Sequence, residues 1–122
     1  MINKGIFYLL LIVFYSINAI GNDLNIPKPL NANDENLYRR VFELQTEGNF
    51  KEAEKLLQKI ENNILIGRVK AQKFLHPTGY ISKFVELRDW LEKYDDHPSA
   101  SRIYWLSKRK KPKNFKSAKK PS

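Results

Sequence analysis

Residues 74–109 read FLHPTGYISKFVELRDWLEKYDDHPSASRIYWLSKR, and the prediction of the fold starts from this stretch. It contains both tryptophans, both histidines and two His-Pro steps, His76-Pro77 and His97-Pro98. A residue before proline is pushed out of helical geometry, so each step predicts the end of a helix. The stretch therefore predicts helices separated by short breaks.

Apolar residues recur at helical spacing between and after these breaks. The stripe of the fourth helix consists of Phe84, Leu87, Leu91 and Tyr94, with Trp90 on its flank and Ser82 as the predicted N-cap. Ser99 is predicted to open the last helix, whose apolar and aromatic residues are Ala100, Ile103, Tyr104 and Trp105.

Three further helices are predicted upstream. Asn33 or Asp34 is the predicted cap of the first, and Gly48 suits a left-handed C-cap at its end. A second helix is predicted to start at Phe50, and a third to cover Ile64–Leu75. Gly67 lowers the helical propensity of that third segment, so we expect it to serve a close approach between helices.

No segment alternates apolar and polar residues as a half-buried strand would, so residues 34–109 predict an all-α domain. Residues 47–61, EGNFKEAEKLLQKIE, resemble the middle of a tetratricopeptide repeat, where small residues at the turn let two helices close against each other. The predicted architecture is a short array of antiparallel helix hairpins, tetratricopeptide-like or superhelical.

The N-terminus has the pattern of a targeting segment. One lysine precedes the unbroken apolar run IFYLLLIVFY at residues 6–15, and small residues follow at Ala19 and Gly21. This pattern predicts a signal peptide over residues 1–21 and a proline-containing linker over residues 22–33. An uncleaved membrane anchor is the alternative, because no charge occurs between Gly5 and Asn22.

The formal net charge of +9 belongs to the C-terminal end. Eight of the 22 basic residues lie from Lys108 onward, where there is no acid, and the other fourteen face thirteen acids. Residues 110–122 are accordingly predicted to be a basic disordered tail, with attraction to anionic polymers or lipid headgroups as the functional alternative. Secretion argues against a nucleic-acid partner.

No catalytic, cofactor-binding or metal-binding residue is predicted. Glycoside cleavage needs two flanking carboxyl groups, but helix-surface or capping roles explain Glu86 with Asp89, and Asp95 with Asp96, better. The chain has no cysteine, and a metal site needs three or four converging ligands. His76 and His97 are therefore predicted to serve the helix breaks.

The aromatic residues leave two interpretations open. Trp90, Tyr94, Tyr104 and Trp105 are spaced along helices, and such residues usually pack in a core. They would instead favour sugar binding if any of them were exposed in a groove.

The helical body resembles a known family. The stretches LYRRVFELQTEGNFKEAEKLLQKI, LIGRVKAQKFLHPTGYISKFVELRDWLEKYDDHP and ASRIYWLSKRKKP, within residues 37–112, are similar to the N-terminal helical region of soluble lytic murein transglycosylases of the alphaproteobacterial type. The distinctive points are FLHPT at Phe74–Thr78, the segment Leu87–Leu91 and the break Asp96–Pro98.

This resemblance implies a periplasmic helical module linked to the cell wall, with peptidoglycan or a cell-wall enzyme as partner. The family's catalytic domain uses a glutamate followed by serine, and this sequence has no Glu-Ser pair. We therefore expect a truncated or split enzyme that scaffolds or binds without catalysis of its own. The alternative is a small secreted tetratricopeptide-like interaction module unrelated to the wall.

Overall fold

A computed structural model describes residues 29–122, and this part of the chain is all-α, as predicted. It contains five α-helices, α1 to α5, and one 3₁₀ turn before α3. Their bounds are Ala32–Thr46 (α1), Phe50–Leu57 (α2), Asn63–Leu65 (3₁₀), Ile66–Phe74 (α3), Phe84–Tyr94 (α4) and Ala100–Lys110 (α5). The predicted signal peptide, and all of the predicted linker before Pro29, lie outside the described residues.

Helix α1 begins earlier than the sequence predicted. Its cap is Asn31, whose side chain accepts a hydrogen bond from the Asp34 amide at 2.7 Å. Asp34 is fully buried, and its carboxylate accepts the backbone N–H groups of Glu61 and Asn62 at 3.1 and 2.9 Å. The prediction that Asn33 or Asp34 caps α1 is therefore wrong: Asp34 satisfies the backbone beyond α2 instead.

The turn between α1 and α2 has the glycine conformation that the sequence predicted. Gly48 has a φ of +81°, in the left-handed region that side chains disfavour. Its N–H bonds to the Gln45 carbonyl at 3.0 Å, and that of Asn49 bonds to the Leu44 carbonyl at 2.8 Å. These two bonds form a Schellman motif, which ends α1 and turns the chain into α2.

The apolar side chains form two clusters that meet at α3. The first cluster consists of Tyr38, Val41, Leu44, Ala53, Ile60 and Val69. The second consists of Ala71, Phe74, Phe84, Leu87, Trp90, Leu91, Ala100, Ile103 and Ala118. Since Val69 belongs to the first and Ala71 and Phe74 to the second, the short helix α3 joins the two halves of the core.

A close contact between α3 and α4 confirms the prediction for Gly67. The Trp90 indole N–H donates to the Gly67 carbonyl at 2.9 Å. A Cβ added at Gly67 would lie 2.6 Å from the nearest atom of the Tyr94 ring. Real Cβ atoms do not approach other atoms so closely, so a side chain at this position would require the Tyr94 ring to shift.

The start of α4 differs from the prediction. The N-cap is Lys83 and not Ser82, and Glu86 accepts the Lys83 amide at 3.1 Å. The Ser82 side chain is buried, and its Oγ has no hydrogen-bond partner among the described residues. The prediction for Ser99 is right in position, because it directly precedes α5.

The tail is irregular beyond Lys110 but packs against the body, so the prediction of a disordered tail is not confirmed. Ala118 is buried in the second cluster. Lys119 Nζ lies 3.0 Å from a carboxylate oxygen of Asp95, and the Ser122 N–H donates to the Asp95 carbonyl at 3.1 Å. The small Ala118 side chain fits the core. Asp95, at the C-terminal end of α4, binds Lys119 and Ser122, which follow Ala118 in the chain.

We predict that Gly67→Ala destabilises the protein. Alanine raises helical propensity by about 1 kcal/mol, but overpacking against Tyr94 costs about 1–3 kcal/mol. The net fall in the free energy of unfolding, measured by urea denaturation, is expected to be up to about 2 kcal/mol. Lys70→Ala, at an exposed site of the same helix, is the control. A Gly67→Ala protein that is about 1 kcal/mol more stable than the wild type, the effect of helical propensity alone, would contradict the close contact.

Candidate functional site

The two histidines act at the helix breaks, as the sequence predicted. His76 Nδ1 accepts the N–H of Gly79 at 2.7 Å, and His97 Nδ1 accepts the N–H of Ser99 at 3.0 Å. An accepting Nδ1 requires that the proton of the neutral ring sit on Nε2. Within residues 29–122, no group of three or more His, Cys, Asp or Glu side chains is arranged to hold a metal ion.

The nominated carboxylates also have structural partners. Glu86 accepts the Tyr80 hydroxyl at 2.5 Å as well as the Lys83 amide. Asp89 pairs with Arg88 on an exposed surface, and Asp95 pairs with Lys119. Capping and ion pairing therefore account for Glu86, Asp89 and Asp95, in line with the sequence interpretation.

The four aromatic residues divide between core and surface. Trp90 is 3% exposed and packs on Tyr94 with ring centroids 5.3 Å apart, so its predicted packing role is confirmed. Tyr94 and Tyr104 are half-buried and pack against the second cluster. Trp105 is 63% exposed and is the exception.

Trp105 lies in a groove between the segment that links α3 to α4 and the outer face of α5. We call this the Trp105 groove; its volume is about 530 Å³. The side chains most relevant to binding are Tyr80, Ile81, Arg102, Trp105, Arg109 and Lys110. Arg102, Trp105 and Arg109 fall at i, i+3 and i+7, so the helical repeat places all three on one face of α5.

The groove is cationic. Arg102, Arg109 and Lys110 line it, and none of its lining residues is acidic. Lys110 Nζ donates to the Ser82 carbonyl at 2.5 Å, which fixes one positive charge at the wall of the groove. The buried Ser82 residue, whose hydroxyl has no partner among the described residues, also lines it.

The Trp105 ring is held from one side. Lys108 Nζ lies 4.6 Å from the indole centroid and 5.7 Å from that of Tyr104. A cation over an aromatic ring stabilises its position by electrostatic attraction to the ring face. The site thus combines a large exposed ring, the exposed Ile81 side chain and fixed cations, which suits a ring-bearing ligand with anionic groups.

The sequence did not predict this groove. The buried residues of α5 are Ala100, Ile103 and Ser107, at i, i+3 and i+7. Trp105 lies two residues from Ile103, which is about 200° around the helix axis. That spacing was the available signal that Trp105 points away from the core.

Comparison with known protein families, curated proteins and solved structures finds no match to this chain. The resemblance to lytic transglycosylases therefore stays a prediction from the sequence.

Among residues 29–122, no helix is long and apolar enough to cross a membrane.

We predict that the Tyr80 hydroxyl loses its proton at a higher pH than an ordinary tyrosine. Its hydrogen bond to the Glu86 carboxylate, with some desolvation, raises the pKa of Tyr80 to about 12. A raised pKa means that the contribution of this bond to stability is fully present below the ordinary tyrosine pKa of about 10 and is lost as the pH rises through about 12.

Phenolate absorbance measures this directly, as the difference between the wild type and Tyr80→Phe. The difference should develop near pH 12, and Glu86→Gln should move it toward the ordinary value. A difference that develops near pH 10 in the wild type would contradict the Tyr80–Glu86 bond.

Proposed function

We propose that this chain is a non-catalytic periplasmic helical module that binds at the cell wall, with the Trp105 groove as its contact to peptidoglycan. The observation that carries the proposal is the exposed Trp105 ring flanked by Arg102, Arg109 and Lys110 in a groove without acids. The signal-peptide pattern and the resemblance in residues 37–112 support the location.

The chemistry of the groove suits a glycan strand that carries peptides. The apolar face of a sugar ring packs on an indole, which offers a large rigid surface at low conformational cost. Carboxylates on the muramic acid substituents would pair with the guanidinium groups of Arg102 and Arg109, whose planar fork suits this geometry. Such a site positions a polymer and needs no general acid.

The packing of successive helices supports a scaffold role. Helix α1 packs along α2, and α4 packs along α5, so neighbours in sequence are neighbours in space. This is the contact pattern that a tetratricopeptide-like array of hairpins would show. We propose that the two pairs are units of such an array and present the groove on its surface.

A second groove favours the alternative of a protein-interaction module with no wall connection. It has a volume of about 460 Å³ and lies among α2, α3 and α4. Its charged lining residues have both signs: Glu54, Glu86 and Asp89, with Lys70, Lys73 and Lys93. Mixed charges above an apolar floor suit a polypeptide better than a uniformly anionic glycan.

Binding to purified sacculi tests the first proposal. We expect the wild-type protein to sediment with sacculi, and Trp105→Ala to bind about tenfold more weakly, the scale of losing one stacked ring. Ile64→Ala, which truncates an exposed apolar side chain at the 3₁₀ turn, is the matched control and should bind normally. A wild-type protein that stays in the supernatant would favour the alternative.

We also predict that the purified protein releases no soluble muropeptides from sacculi. Three of the nominated acids are held by other groups: Glu86 accepts the Lys83 amide, Asp89 pairs with Arg88, and Asp95 pairs with Lys119. Chromatography of the soluble fraction after incubation measures this. Turnover that persists on repurification would overturn the non-catalytic assignment.

A further inference from the structure

The C-terminal segment carries a second basic surface, separate from the Trp105 groove. Its chain is held at two points: Ala118 is buried in the core, and Asp95 binds both Lys119 and Ser122. The backbone that carries its lysines is therefore anchored to the body. An anchored segment keeps its lysines near one part of the surface, whereas a disordered tail would spread the same charges over a large volume.

A turn at the start of this segment presents an aromatic side chain. The Phe115 N–H donates to the Pro112 carbonyl at 3.2 Å, and Lys111 Nζ donates to the Phe115 carbonyl at 2.8 Å. The Phe115 ring meets Phe84 edge-on, with centroids 5.7 Å apart, and stays 42% exposed. Two hydrogen bonds and one ring contact thus hold an apolar tip at the surface.

Lysines flank this tip in the sequence. Lys113, Lys116 and Lys120 are exposed, and no acid occurs in the sequence after Asp96. In the described part of the chain, the ion pairs of the tail comprise Lys119 with Asp95 alone. We call Lys113, Phe115, Lys116 and Lys120 the tail patch.

The chemistry of the patch distinguishes among anionic partners. Lysine ammonium groups are strongly hydrated point charges that do not require a fixed acceptor geometry. A partly exposed phenylalanine among lysines suits the boundary between headgroups and acyl chains, where its ring is buried while the cations face anionic headgroups. We infer that the tail patch docks on the surface of an anionic lipid bilayer. This goes beyond the proposed function and involves different residues.

Cosedimentation with lipid vesicles tests the inference on the full chain. We expect stronger binding to phosphatidylcholine vesicles that contain phosphatidylglycerol than to phosphatidylcholine alone, and a loss of this preference as salt rises. Lys113→Gln with Lys116→Gln should weaken binding to the anionic vesicles by about 30-fold, which is about fivefold for each lysine near the surface.

The matched control removes the same charge elsewhere. Lys51→Gln with Lys59→Gln changes two exposed lysines, within and directly after α2, and should retain at least most of the binding. All variants share the same N-terminal residues, so the apolar segment at 6–15 contributes equally to each. Circular dichroism should show unchanged helix content in both double variants.

Three results would overturn the inference. The first is that both double variants weaken vesicle binding equally. The second is that the wild type binds neutral and anionic vesicles equally. The third is that the wild type binds soluble polyphosphate as tightly as it binds anionic vesicles. The tail variants should leave sacculus binding at the Trp105 groove in place. A failure of the lipid inference is therefore distinguishable from a failure of the proposed function.

Discussion

The contact of Gly67 with Trp90 and Tyr94 holds the two halves of the core together. Helix α3 has only nine residues, too few to be stable by itself in water. Tertiary packing stabilises it, because Val69 is buried in the first cluster while Ala71 and Phe74 are buried in the second. The Trp90 indole bonds to the Gly67 backbone, and the Tyr94 ring occupies the space that a Cβ at position 67 would need.

Buried polar groups fix the other helices relative to α3. Gln45 is 1% exposed, and its amide donates to the Val69 carbonyl at 3.0 Å and to Gln72 at 2.7 Å. Asp34 binds the backbone beyond α2 in the same manner. An unpaired buried polar group costs about 1–3 kcal/mol, so these bonds select one packing of α1 against the rest. The buried Ser82 hydroxyl is an exception, because it has no hydrogen-bond partner among the described residues. It lies at the wall of the Trp105 groove.

The fold was largely predictable because its signals are local. Helical periodicity, the His-Pro breaks, and the glycines at positions 48 and 67 each report a backbone constraint that one segment carries alone. Caps were less predictable: Asp34 was assigned to α1, but its partners Glu61 and Asn62 are 27 and 28 residues away. The packing of the tail was missed for the same reason. A lysine-rich composition indicates only that the side chains prefer water, whereas Ala118 and Asp95 hold the tail through contacts between residues far apart in the sequence. For the site, the exposure of Trp105 follows from helix geometry, but the cationic wall depends on a tertiary contact, the bond from Lys110 to the Ser82 carbonyl 28 residues away.

Segregation of charge explains why a nearly neutral body carries a strongly basic end. The acids occur before residue 97, mostly on α1, α2 and α4, where several pair with lysine or arginine on the same helix. Such exposed pairs contribute little stability, but they cancel the field of that half. From Arg102 onward, the described ion pairs include one acid, Asp95. It pairs with Lys119 and so attaches the tail to the C-terminal end of α4. That ion pair anchors the tail to the body together with the burial of Ala118 and the Phe115–Phe84 contact, so a strongly basic segment is tied to the folded domain at three points.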